Sequence, residues 1–97
     1  MGPYATAKAG LHGLSRTLAV ELGPADILSN VVMPGFVLTE RNQQRVPAEH
    51  REQVKRFTPT RRLTTPEDIA AAIVFLGSPA NRQITGEVIR ITGGRHM

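Results

Sequence analysis

The stretch from Ile27 to Met33, closed by Pro34-Gly35, constrains the fold more than any other part of the chain. It is short, apolar and rich in β-branched residues, which suits a strand buried on both faces. It follows directly on a segment with helical periodicity. Ala7, Leu11, Leu14, Leu18 and Leu22 recur at spacings of four, three, four and four, which predicts a helix over 4–22 that Gly23-Pro24 ends. A helix leading at once into a doubly buried strand is the pattern of a parallel sheet.

The remaining segments extend the same pattern. A loop runs through Thr39, and Pro47 then opens a short polar helix with His50, Val54 and Phe57 on one side, broken at Thr58-Pro59. A second strong helix starts at Thr65, whose hydroxyl is placed to cap the free amides. Pro66 occupies its first turn, and Glu67 and Asp68 favour the positive end of the helix dipole. Its predicted buried stripe is Ile69, Ala72, Ile73 and Leu76, with Gly77 and Ser78-Pro79 as the stop. Gly86 through Ile91 reads as a last strand that Gly93-Gly94 ends. The predicted order is helix, strand, short helix, helix, strand. The strands at 27–33 and 87–91 are expected to pair in parallel, joined through the helix at 66–77 as a right-handed crossover.

Length and composition narrow the function. With 97 residues the chain has room for one small domain or part of a larger one. The absence of cysteine excludes a disulfide framework and thiolate chemistry, and points to a reducing, cytoplasmic setting. No run approaches the roughly twenty apolar residues of a membrane span, so no membrane partner is expected. His12, His50 and His96 have no ligand spacing, so no metal site is expected either. The net charge of +4 is concentrated between Arg41 and Arg62, where seven Lys and Arg oppose only Glu49 and Glu52. Such a stretch reads first as a solvated helix face. A nucleic-acid surface would interleave stacking aromatics, and only Phe57 is present, so no nucleic-acid partner is expected.

Taken in order, the segments resemble the carboxy-terminal half of the short-chain dehydrogenase/reductase family. Tyr4-Ala5-Thr6-Ala7-Lys8 with Ala9-Gly10-Leu11 is similar to the family's Tyr-x-x-x-Lys helix. Asn30 through Thr39, with Pro34-Gly35 and Thr39 in place, is similar to its Asn-x-x-x-Pro-Gly-x-x-x-Thr segment. Pro66-Glu67-Asp68-Ile69-Ala70 and Phe75-Leu76 match its penultimate helix, and Ile84-Thr85-Gly86 through Gly93-Gly94 match its closing strand. Tyr-x-x-x-Lys alone is a weak signal, but four segments in the right order are a strong one. The resemblance implies an α/β fold, the carboxy-terminal part of a Rossmann-type doubly wound parallel sheet, with residues 1–97 as a single partial domain.

The first motif has a chemical reason for its spacing. Residues four apart on a helix share a face, so Tyr4 and Lys8 are placed to project together. A free phenol ionises near pH 10. A cation about 5 Å away, at an effective dielectric near 20, favours phenolate by roughly 3 kcal/mol. The resemblance assigns Tyr4 the role of proton donor and acceptor to a carbonyl or alcohol, and Lys8 a second duty at the nicotinamide ribose of NAD or NADP. At the second motif, Pro34 and Gly35 turn the chain sharply at the carboxyl end of a parallel strand, where doubly wound sheets bind ligands. There the resemblance points to Val37 backbone groups for the carboxamide and to Thr39 for a cofactor contact. The reading from residues alone is a tight turn followed by a helix-capping threonine.

The 97 residues hold no Gly-x-x-x-Gly-x-Gly phosphate loop, no Asn-Asn-Ala-Gly turn and no serine about a dozen residues ahead of Tyr4. The chain by itself is therefore expected to bind no cofactor and to be inactive. Three classes stand side by side. One is an oxidoreductase acting on a small carbonyl or alcohol, or on an acyl chain delivered by an acidic acyl carrier protein to the basic 41–62 surface, as in 3-oxoacyl-acyl-carrier-protein reductases. The second is a non-catalytic truncated oligomerisation or interaction module. The third, a basic nucleic-acid binder, is disfavoured by the missing aromatics. Two strands leave raw edges, so a homo-oligomer is expected.

Overall fold

A computed structural model describes residues 2–95, apart from the side chains of Tyr4 and Asn42. The chain forms helix α1 (Gly2–Leu22), a 3₁₀ turn (Gly23–Ala25), strand β1 (Val31–Pro34), helices α2 (Glu40–Arg45), α3 (Ala48–Arg56) and α4 (Pro66–Leu76), and strand β2 (Val88–Ile91). The two strands form one sheet. Val31 N–H donates to Glu87 O at 2.9 Å and Gly35 N–H to Ile91 O at 3.0 Å. Both partners advance together along the sequence, so the pair is parallel, as the helix-then-strand pattern predicts. The α/β architecture holds.

Two compact units divide these elements, one of residues 1–32 with 75–89 and one of residues 33–74 with 90–97. In the first, α1 turns Ser15 and Ala19 inward, and Val31 and Asn81 are also buried. The inward row of α1 runs through Lys8, His12, Ser15, Ala19 and the predicted Leu22, with the predicted Leu18 beside it, and not through the predicted Ala7, Leu11 and Leu14. Leu18 and Leu22 are partly covered, but Leu11 and Leu14 are more than half exposed and Ala7 is exposed. Small side chains explain the rotation. Ala19 comes within 3.5 Å of where a Gly86 Cβ would stand, at φ +72°, and Ser15 Oγ meets Ser29 Oγ at 2.9 Å.

Strand β1 starts four residues later than predicted because side chains take over the pairing ahead of it. Ser29 N–H donates to Thr85 Oγ1 at 2.9 Å, Asn30 Nδ2 donates to Ile84 O at 2.8 Å, and Glu87 N–H donates to Asn30 Oδ1 at 3.1 Å. Asn81 bonds Leu76 O and Ile84 O through Nδ2 and accepts from Ile84 N–H. These amides satisfy backbone groups that a ladder would otherwise serve.

In the second unit Val54, Thr58 and Thr64 are buried. Helix α2 adds an element to the predicted order. Val54 faces inward on α3 as expected, but Phe57 is mostly exposed, because it sits at the helix end and the next residue takes the inward place. That residue is Thr58, whose hydroxyl donates to Val54 O at 2.6 Å. Helix α4 begins as expected, with Thr65 and Asp68 capping each other: Asp68 N–H donates to Thr65 Oγ1 and Thr65 N–H donates to Asp68 Oδ2. Its predicted stripe is only partly covered, and Ile73 is exposed together with Val74 and Phe75. Two strands offer too little sheet to cover a helix face.

Candidate functional site

The helical register sets Tyr4 one turn from Lys8 on the same side of α1, in the first unit. The Tyr4 side chain lies outside the described residues. Lys8 is partly buried on the inward row that continues to Ser15 and Ala19.

Pro34, Gly35, Val37 and Thr39 lie in the second unit, on one continuous segment that leaves the carboxyl end of β1. Gly35 still donates to β2, at Ile91 O, so the turn is anchored to the sheet. Beyond it, Leu38 N–H donates to Thr64 O at 2.7 Å, and Val37 forms an isolated parallel bridge with Thr64. An extended segment sends successive peptide groups to opposite sides. With Leu38 turned to Thr64, the N–H and C=O of Val37 point the other way. Thr39 stands at the start of α2, where its carbonyl accepts from Gln43 N–H at 2.9 Å. It thus occupies the helix-capping place that the residues alone suggested.

Sequence reasoning missed Thr64. It is buried, and its carbonyl fixes the loop that presents Val37. Nothing in its neighbours marks it, because its partners are distant in sequence. Arg62 and Asp68 were also outside the predicted site. Their guanidinium and carboxylate pair at 2.8 and 3.1 Å beside a cavity of roughly 220 Å³ lined by Thr60, Leu63, Thr64 and Gly93. The Arg62 hydrogen bond, followed by that from the Thr65 backbone, holds the Asp68 carboxyl well below the usual carboxylate range. A group so firmly ionised is a poor proton donor, and its position at the start of α4 gives it a capping role. Among the described residues, no three His, Asp or Glu side chains converge as a metal cluster would, and no helix is long and apolar enough to cross a membrane.

The family model described as Enoyl-(Acyl carrier protein) reductase matches residues 1–96. Among curated proteins, (3R)-3-hydroxyacyl-CoA dehydrogenase of Canis lupus familiaris is 43% identical over 97% of this chain and 36% of its own length. The 3-oxoacyl-(acyl-carrier-protein) reductase of Aquifex aeolicus is 39% identical over 94% of this chain and 36% of its own. Among solved structures, hydroxysteroid dehydrogenase from Escherichia coli superposes with a TM-score of 0.87 at 36% identity, covering 97% of this chain and 39% of that one. A 7α-hydroxysteroid dehydrogenase complexed with NADH and 7-oxo glycochenodeoxycholic acid gives 0.81 at 37% identity, over 94% and 36%. The chain thus spans little more than a third of the length of the relatives it matches.

Proposed function

The chain belongs to the short-chain dehydrogenase/reductase family, and on that premise we propose that it carries the proton-transfer half of an NAD(P)-dependent oxidoreductase site. The observation that carries this reading is the ordered set of family segments over residues 1–96, with the Val37 peptide turned away from Thr64 at the carboxyl end of β1.

Tyr4 donates its phenolic proton to a substrate carbonyl oxygen and takes a proton back from the alcohol in the oxidative direction. Lys8 stabilises the phenolate left behind and holds the ribose hydroxyls of the cofactor. Val37 offers its backbone donor and acceptor to the carboxamide, and Thr39 its hydroxyl, on a loop shaped by Pro34 and Gly35. A nicotinamide cofactor, NAD or NADP, supplies or takes up the hydride when bound. The substrate is a carbonyl or secondary alcohol. The names of the dog and Aquifex relatives favour an acyl thioester among such substrates, and the basic 41–62 segment suits an acidic acyl carrier.

These 97 residues alone hold no glycine-rich phosphate loop and no serine ahead of Tyr4, so we assign no turnover to them in isolation. Titration of the 97-residue polypeptide into NADH and NADPH, followed by cofactor fluorescence, is expected to show no saturation. Micromolar binding would overturn that part of the reading. A second reading, a non-catalytic module that self-associates, draws on the exposed Ile73 and Val74 of α4 and on the two-stranded sheet with open edges. Sedimentation of the isolated chain distinguishes it: a dimer or larger assembly supports it and a monomer rejects it.

A further inference from the structure

The loop at 58–65 is held at its two ends by unlike means. At its start the Thr58 hydroxyl donates to Val54 O at 2.6 Å and Thr60 N–H donates to Gly93 O at 3.1 Å, so it is anchored to α3 and to the turn after β2. At its end a single carboxylate oxygen, Asp68 Oδ2, accepts from Arg62 Nη1 at 2.8 Å and from Thr65 N–H at 2.9 Å, while Oδ1 accepts from Arg62 Nη2 at 3.1 Å. Residues 62 and 65 are thereby drawn to one carboxylate in the first turn of α4. Leu63 and Thr64 are the two residues held between them.

Thr64 is also the residue that holds the segment after β1. Its carbonyl accepts from Leu38 N–H at 2.7 Å, and its backbone forms the parallel bridge with Val37. The direction of the Thr64 carbonyl therefore sets the direction of the Val37 peptide. A bidentate guanidinium fork fixes angle as well as distance, which a point charge does not. The pair is too exposed to add much to overall stability, with the Arg62 side chain 61% accessible, so its effect is local. We propose that Arg62 and Asp68 are positioning residues for the Val37 peptide. The fork holds Leu63-Thr64, Thr64 holds Leu38, and the Val37 donor and acceptor are thereby aimed at the carboxamide of a nicotinamide cofactor. Both side chains act through Thr64, and neither is assigned a contact with cofactor or substrate. This rests on the reading of Val37 as a cofactor contact and not on the proton transfer by Tyr4.

Amide hydrogen exchange in the 97-residue chain reads the first link with no cofactor present. In Arg62→Met, exchange at Leu38 is expected to speed up at least tenfold, while Val31 and Gly35, bonded to Glu87 and Ile91, keep their rates. Arg62→Lys, which keeps the charge without the fork, is expected to fall between the parent and Arg62→Met. Asp68→Asn is expected to speed Leu38 at least as much, and adding Arg62→Met to it changes nothing further, because the two act as a unit. Arg82→Met, which removes an exposed guanidinium elsewhere, leaves Leu38 unchanged. A Leu38 rate that ignores the fork, or that is unprotected in the parent, overturns the proposal. So does an equal acceleration at Val31 and Gly35, which would make the pair a general support of the fold.

The second link is read in a chimera in which this chain replaces the segment it matches in Escherichia coli 7α-hydroxysteroid dehydrogenase, a 37% identical relative. Titration with NADH, followed by cofactor fluorescence, is expected to give about tenfold weaker binding for Arg62→Met, an intermediate value for Arg62→Lys and the parent value for Arg82→Met. Equal binding by the parent chimera and its Arg62→Met variant overturns the positioning role. A parent chimera that binds no NADH removes the cofactor reading of Val37 and the positioning role with it, while Leu38 exchange separately scores the hold of the fork on the loop.

Discussion

Arg62 grips the Asp68 carboxylate through two parallel hydrogen bonds, Nη1 to Oδ2 at 2.8 Å and Nη2 to Oδ1 at 3.1 Å, while the same carboxylate accepts the Thr65 N–H at the start of α4. The pair joins the 58–64 loop to the helix that follows it. Because the folded state holds this carboxyl ionised below its ordinary range, near pH 4 when unfolded, its contribution is complete above that value and is lost as the pH falls below it. Urea midpoints measured at pH 6 and pH 3 are therefore expected to fall on acidification, and Asp68→Asn is expected to reduce that fall. The pair is exposed to solvent, so the effect is small and shrinks with added salt. An unchanged acid sensitivity in the variant would remove Asp68 from this role.

Gly93 and Gly13 make opposite predictions for the same substitution. At Gly93, φ is +66° and a Cβ would stand 2.5 Å from Thr60 Oγ1 and 2.7 Å from Thr58 Cγ2, on a residue that is itself buried. Gly93→Ala is expected to destabilise by about 2–4 kcal/mol, from backbone strain plus overpacking. Gly13 lies within α1 with nothing near its missing Cβ, and Gly13→Ala is expected to stabilise by about 0.5–1 kcal/mol. Denaturant titration of both reads the sign directly.

Arg61 holds a left-handed backbone at φ +60°, a conformation that disfavours a side chain. Its Nη1 donates to Arg56 O, an exposed bond that offsets little of the strain. Arg61→Gly is expected to be stabilising by about 0.5 kcal/mol, the relief of strain exceeding the extra freedom gained by the unfolded chain. A loss of stability would show that the Arg56 contact matters more than the backbone.

Asn81 is buried and uses both amide ends, so its replacement separates donor from acceptor. Asn81→Ala takes this partner from Leu76 O and Ile84 N–H, while Ile84 O keeps Asn30, and is expected to cost about 2–3 kcal/mol. Asn81→Asp keeps the acceptor for Ile84 N–H but sets a carboxylate against two carbonyls, so its stability is expected to rise as the pH falls. A pH-independent Asp variant would mean that water replaces the lost contacts.

For the proposed reaction, Tyr4→Phe is expected to lower kcat by about 10²–10⁴ with KM changed little, the range for losing a positioned general acid. Lys8→Met is expected to raise KM for the cofactor as well and to move the basic limb of the rate profile upward by up to about two pH units. Rates in which Tyr4→Phe matches the parent would end the proposed mechanism.

Much of this fold was legible in sequence because breakers and caps act locally. Gly23-Pro24 and Gly77 fall just after α1 and α4, and Thr65-Pro66-Glu67-Asp68 starts α4 with the expected capping bonds. The loop of Pro34, Gly35, Val37 and Thr39 was legible as a turn after a parallel strand. Helix α2 was not, since Glu40–Arg45 has no apolar periodicity to announce it. The inward face of α1 was misread because leucine spacing records which residues are apolar, not which of them find a partner.

The amino-acid order by itself determined helices α1, α3 and α4, the parallel strand pair and the Tyr4–Lys8 spacing, since each depends on neighbours within a turn or on a breaker beside it. Only the tertiary structure decided that Ser15 and Ala19 face inward instead of Leu11 and Leu14, that Asn30 and Asn81 replace ladder bonds ahead of the strands, and that Thr64 turns the Val37 peptide to the other side. Those outcomes depend on contacts between residues far apart in the chain, where close approach of small side chains and satisfaction of buried polar groups outweigh local apolar pattern.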